Sequence, residues 1–178
     1  MDRKKFIKAS GILGLGALFG NTLFGQENKA MNTIKEKIVL NNEGIKLNCL
    51  GDHQVIKLSS KDTNGQYAAI FLDNPPNTQI PLHVHENEDE VYNVIEGEVE
   101  FTVSGKTTLL KDGDTIFLPR NIPHTWKVVG TKNAKVHLNI FPAGLENMFE
   151  ELSKYTATGA PDHSKVAEIC GRYKVKFI

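Results

Sequence analysis

Cysteine, tryptophan and charge bias are what this chain has least of. Its 178 residues hold two cysteines, Cys49 and Cys170. That is too few for a small disulfide scaffold. They either close one long loop in an oxidising compartment or stay as two buried free thiols. Basic and acidic residues both number 21, so the formal net charge is zero. No basic patch points to nucleic acid. There is no nucleotide-binding glycine loop, hydrolase triad, DNA-binding motif, internal repeat or low-complexity stretch. The length suits one modest domain.

The N-terminus carries a layered pattern. Met1 to Lys8 is basic, Gly11 to Gly20 is apolar and glycine-rich, and polar Gln26-Glu27-Asn28-Lys29 comes next. This order predicts an export signal over residues 1–25 and a linker over 26–34, with delivery to the periplasm. The apolar run is too short for a comfortable membrane span, so no stable span is expected once the signal is removed. An uncleaved N-terminal anchor is the alternative. Asp2-Arg3-Lys4-Lys5-Phe6-Ile7-Lys8 resembles a twin-arginine signal with lysine at one arginine position, and Sec export stays open. Cleavage would take four basic residues and one acid from the 21 of each, leaving a formal charge of −3.

Three histidines and a glutamate stand out in the middle of the chain. His83, His85 and Glu90 lie between Pro81 and Gly97; His124 lies between Gly113 and Trp126. Residues two apart on a strand share a face, so His83 and His85 can grip one ion. Glu90 has the opposite parity and would point away on an unbroken strand. A break is therefore predicted within Glu86-Asn87-Glu88-Asp89, whose acids read as a solvated turn rather than as extra ligands. Beyond it, Glu90, Tyr92 and Val94 share one face. Pro119 and Pro123 suit a loop or strand edge before His124, with His124, Trp126 and Val128 on one face. His53 and His163 read as surface residues. His137 either faces inward with Asn139 or outward while Val136, Leu138 and Ile140 pack inside.

Short strand signals recur along residues 35–141. Gln54–Leu58 and Tyr67–Leu72 flank a turn at Asn64-Gly65, a hairpin signal. Further strands are expected over 90–96, 98–103, 107–110, 114–118, 124–129 and 134–141. The tail, residues 142–178, switches period. Leu145, Met148, Phe149 and Leu152 form one helical stripe, and Val166, Ile169, Cys170 and Tyr173 form another. These stripes are expected to cover the outside of a barrel or a subunit interface, so a homodimer is one expected assembly.

The two His-containing segments resemble the cupin family. Its first motif, G-x5-H-x-H-x(3,4)-E-x6-G, is met by His83, His85, Glu90 and Gly97, with Asn77 at the leading glycine. Its second, G-x5-P-x-G-x2-H-x3-N, is met by Gly113, Pro119 and His124, with Asn121 and Val128 at the other two positions. Asparagine tolerates the left-handed backbone that such glycines adopt. The resemblance implies an all-β, double-sheet jelly-roll barrel with short C-terminal helices, similar to small single-domain quercetin 2,3-dioxygenase-like cupins. It implies one divalent first-row ion per chain, held by His83, His85, Glu90 and His124. Fe, Mn, Co, Ni, Cu and Zn all accept such ligands, and ligand type does not choose among them.

The activity implied by the resemblance is a dioxygenase acting on a small enolic or aromatic molecule with O2. Glu90 would be the catalytic base. Tyr92, Trp126, Phe71 and Phe101 are candidates for an aromatic pocket wall. Two alternatives stay open: a Lewis-acid isomerase, decarboxylase or hydrolase, and a cupin that binds a small molecule without turning it over.

Overall fold

The computed structural model describes residues 34–157 and 159–178. The expected export signal and most of its linker lie outside the described residues. Alternating burial marks the strands of the barrel. Ala68, Ile70, Leu72 and Asn74 point in along one strand, and Ala134, Val136, Leu138 and Ile140 along another. Period-two burial means that each strand offers one face to a shared interior.

Eleven strands and three helices are described. The strands are β1 (Ile45–Cys49), β2 (Asp52–Leu58), β3 (Ala68–Asn74), β4 (Gln79–His85), β5 (Asp89–Glu96), β6 (Glu98–Val103), β7 (Lys106–Leu110), β8 (Thr115–Leu118), β9 (His124–Val129), β10 (Ala134–Phe141) and β11 (Val175–Phe177). One sheet runs β1-β2-β3-β10-β5-β8, and the other β11-β4-β9-β6-β7, with every pairing antiparallel. Two antiparallel sheets face to face form the expected jelly roll. Between them lie Ile70, Val94, Val99, Phe101, Leu118, Val128 and Ile140, each 2 % exposed or less. Each such side chain contributes about 1.5–3 kcal/mol through removal from water.

Several turns behave as their residues require. The β2–β3 hairpin forms, but one helical turn, α1 (Ser60–Thr63), sits inside it and ends on left-handed Asn64. Asn77 and Asn121 replace motif glycines, and both take the left-handed backbone, at φ 71° and 64°. Gly97 is different. A Cβ there would lie 2.7 Å from the Asn133 carbonyl oxygen, so only glycine fits between β5 and β6.

The tail packs as two amphipathic helices, α2 (Leu145–Thr156) and α3 (His163–Arg172). They bury Leu145, Met148 and Leu152, then Val166, Ile169 and Cys170. Glu146 fastens the start of α2. Its buried carboxylate accepts the N–H groups of Ser60 and Gly144, each at 2.7 Å. The tail is not wholly helical, as its period had suggested. Val175–Phe177 forms β11 and pairs with β4, Val175 opposite His85 and Phe177 opposite His83. A β-branched and an aromatic residue suit that strand, and it covers an otherwise open edge of β4.

Candidate metal centre

Local structure delivers each of the four predicted donors. Pro81 and Leu82 lie in a register shift of β4 against β9, the place in a sheet where proline is tolerated. The chain recovers at His83, directly opposite His124, the first residue of β9. Pro123 precedes that strand, which nevertheless lies in the middle of its sheet. His85 follows His83 on the same inward face. The chain then leaves β4 and enters β5 in the opposite sheet, and this crossing resolves the parity of Glu90. Glu90, Tyr92 and Val94 all point inward from β5.

The four side chains meet in one buried cluster. All are 5 % exposed or less, and one ligand atom from each lies within 4.8 Å of every other. His83 Nε2 is 3.0 Å from His85 Nε2. Glu90 Oε2 is 3.2 Å from His124 Nε2 and 3.7 Å from His85 Nε2. Donors held about 2.1 Å from one ion lie about 3.0 Å apart at right angles and about 3.4 Å apart at the tetrahedral angle. The cluster could therefore hold a single divalent ion. His124 Nε2 and Glu90 Oε2 face each other at the heart of the cluster, as donors aimed at a shared centre do.

Two imidazoles are fixed from behind in the same way. His83 Nδ1 lies 2.8 Å from the Pro81 carbonyl, and His124 Nδ1 lies 3.0 Å from the Ile122 carbonyl. An Nδ1–H donated there leaves the Nε2 lone pair facing the centre, the second layer of contacts that metal-binding histidines use. Burial, aided by the neighbouring imidazoles, pushes His83 down to about 4. Burial also lowers His85. Burial would lower His124 too, but the Glu90 carboxylate outweighs it and holds His124 above the usual histidine value. For Glu90, burial acts upward, yet His85 and the other imidazoles keep its carboxyl below the usual range.

Glu88 departs from the expected solvated turn. It is buried, its Oε2 has no hydrogen-bond partner, and burial with the nearby Glu90 charge pushes it up to about 7. Its carboxylate stands 3.8 Å from His85 Nδ1, on the side away from the cluster centre. Glu86 pairs with Lys176, and Asp89 takes a two-pronged contact from Arg120 at 3.0 and 2.7 Å.

A cavity of about 80 Å³ opens beside the donors. It has room for several waters or one small molecule. Tyr92 and Trp126 line it as expected. The Tyr92 hydroxyl donates to Glu90 Oε2 at 3.4 Å. Phe101 does not reach the cavity; it is buried edge-on behind Tyr92, ring centres 5.1 Å apart. Phe71 is on the outer face of β3, against exposed His137 at 5.5 Å. The alternation of β3 turns Ile70 and Leu72 inward, which excludes Phe71 from the pocket wall.

The tail and the first strands supply walls that the motifs did not reveal. Met148, Phe149, Leu152, Val166 and Phe177 close the cavity, and Cys49 and Cys170 both line it as free thiols. Burial raises both thiols, Cys170 to about 11. Asp52 and Gln54 add a polar patch. The alternation of Asp52, Gln54 and Ile56 was the available signal, since inward Ile56 carries the other two inward.

Comparison with known proteins agrees with this geometry. The family described as a cupin domain matches residues 71–141. The oxalate-binding protein of Thermotoga maritima is 32% identical over 82 residues, covering 45% of this chain and 68% of that protein. Quercetin 2,3-dioxygenase of Bacillus subtilis is 27% identical over 76 residues, 43% of this chain; the match spans only 22% of the dioxygenase. The structure of KdgF from Halomonas sp. superposes with a TM-score of 0.56 at 18% identity, covering 64% of this chain and 99% of that one, a likeness of fold. With the jelly roll, both His-containing motifs and a relative matched over two thirds of its length, the chain belongs to the cupin superfamily.

Proposed function

We propose that this cupin is a metal-dependent, dioxygenase-like oxidoreductase acting on a small enolic or aromatic molecule, with the ion held by His83, His85, Glu90 and His124. The observation that carries the reading is the cavity wall. None of the described residues lining it is lysine or arginine, and most are apolar. A substrate anion would find its only positive partner at the metal. An enolate or catecholate matches that: one chelating edge and an otherwise apolar body. A phosphate or a polyhydroxylated sugar does not.

The chemistry a redox-active divalent ion supplies in such a site is electron transfer between an enolate and O2. Both oxygen atoms enter the product, so no outside reductant is needed. The chain's own residues do the rest. Glu90 Oε2 accepts the substrate's hydroxyl proton, since it is the only carboxylate among the four donors. The Tyr92 hydroxyl holds that carboxylate oxygen in place. The helices of the tail keep bulk water off the reacting edge.

A second reading has its own support. The cavity is small, and a relative named for oxalate binding matches nearly half of the chain. Both favour a cupin that binds a small chelating anion without turnover. The deciding experiment is elemental analysis of protein from its native host, then O2-uptake screening with enols and catechols on the loaded protein. Substrate loss matched one-to-one by O2 uptake supports the oxygenase. Substrate loss under strict anaerobiosis with metal retained overturns it in favour of Lewis-acid chemistry. Tight binding without turnover overturns it in favour of the binding module.

A further inference from the structure

Gln54 is, among the described cavity residues outside the four candidate donors, one whose hydrogen bonding is left incomplete. It is 2 % exposed and lines the same cavity as His83, His85 and Glu90, three strands away from Glu90 in their shared sheet. Its amide is held by a chain of contacts. The His53 N–H donates to Asn74 Oδ1 at 2.6 Å, which fixes the Asn74 amide. Asn74 Nδ2 then donates to Asp52 Oδ1 at 2.6 Å. Gln54 Nε2 donates to Asp52 Oδ2 at 2.7 Å. Each member thereby fixes the next, and Gln54 Oε1 is left with no partner.

A buried acceptor without a donor is unfavourable, and in a folded protein it calls for an explanation. Simple packing does not need this arrangement. The donor half of the amide is used by Asp52, but nothing in the packing uses its oxygen. Most of the neighbouring wall is apolar and none of its polar groups reaches Gln54 Oε1, so the donor comes from within the cavity, from a water or from the ligand that displaces it.

We propose that Gln54 is a specificity-determining residue: its Oε1 receives an O–H or N–H donor from a small ligand whose other end chelates the metal. Asp52 and Asn74 are positioning residues that aim the amide. The inference rests on the metal-chelating reading above and narrows it to ligands with a chelating enolic or catechol edge and a donor group, such as a hydroxyl, remote from that edge.

The test uses matched ligands that differ by one hydroxyl, with equilibrium binding to the cobalt-loaded protein followed by calorimetry and by the visible cobalt spectrum. Kojic acid is compared with allomaltol, which carries methyl in place of hydroxymethyl. For longer reach, 4-(2-hydroxyethyl)catechol is compared with 4-ethylcatechol. In at least one pair the hydroxylated member is expected to bind about tenfold tighter, equivalent to about 1.4 kcal/mol. In Gln54→Met that preference should vanish while the deoxy ligand keeps its affinity and its cobalt spectrum. Equal affinity within both pairs for the wild-type protein, which needs no variant to fold, overturns the role of Gln54 alone. Failure of all four ligands to perturb the cobalt spectrum overturns the chelation reading and this inference with it. A preference that survives in folded Gln54→Met assigns the donor contact elsewhere and also overturns the proposal.

Discussion

Loading the four-donor cluster should stabilise the whole barrel, and linkage sets the size of the effect. An ion that binds only the folded chain, at a free concentration one hundred times its Kd, adds about 2.7 kcal/mol. In a domain of this size each kcal/mol moves Tm by about 2–4 °C, so saturating metal should raise Tm by about 5–10 °C. His83→Ala with His85→Ala leaves one imidazole and one carboxylate. Both lost rings are buried, so the double variant will also melt lower without metal. The informative quantity is therefore the metal-induced shift, measured by scanning calorimetry alongside elemental analysis. The double variant should show almost no shift and little bound ion. Acid should remove the shift from the wild type as well, because the ligands must bind as neutral imidazoles. His83 lies down at about 4, whereas the Glu90 carboxylate holds His124 above the usual histidine value, so His124 is the ring that acid protonates first. The shift should therefore shrink as pH falls below neutral. A double variant with full occupancy and an undiminished shift would refute the assignment of the four donors.

Glu90→Gln should keep most of the metal, since three imidazoles remain, and lose about 10²–10⁴ in turnover of any substrate found, read as kcat at full occupancy; wild-type turnover would leave Glu90 with a purely structural role. Asp62 accepts from Lys37 and from Ser59, which hold its carboxyl down at about 2. The unfolded chain takes up that proton first as pH falls, so the stability the ionised group provides is present above about pH 4 and lost toward pH 2. Asp62→Asn should accordingly cost about 1 kcal/mol in urea unfolding at pH 7 and nothing near pH 2; a cost independent of pH would refute the linkage. Phe101→Ala should cost about 3–5 kcal/mol and loosen Tyr92, seen as a lower denaturation midpoint; a near-neutral effect would contradict the packing of the two rings. We propose that the mature chain begins near Gln26 after export, and N-terminal sequencing of native protein showing Met1 would refute this.

Much of the site could be read before the fold was known, because metal ligation ties residue type to strand parity. Glu90 is the clearest case. Its wrong parity demanded a break, and the break proved to be a crossing between sheets. Asn77 and Asn121 likewise stood where glycines were expected and took the backbone those glycines would have taken. Phe71 shows where the reasoning ran out. An aromatic residue near a site is no guide to the face it occupies, and β3 turns Phe71 outward. Gln54 and Asp52 carry no motif, so only the inward phase of β2 could have marked them. Glu88 was hidden for a related reason: a polar turn reads as solvated until other elements are seen to cover it. β11 was out of reach because three residues have too little periodicity to declare a strand; the open edge of β4 decides their conformation.

That last pairing has a consequence for how the protein is made. The strand that carries His83 and His85 finds its outer neighbour about ninety positions downstream, as the Glu86–Lys176 pair marks. At about 5–20 residues per second, a ribosome needs roughly 5–20 s to cover that distance. Throughout that interval the strand that carries His83 and His85 has a bare outer edge, while His124, 39 positions after His85, appears well before the closing strand. The strand that closes the edge beside His83 and His85 is thus made after all four candidate donors.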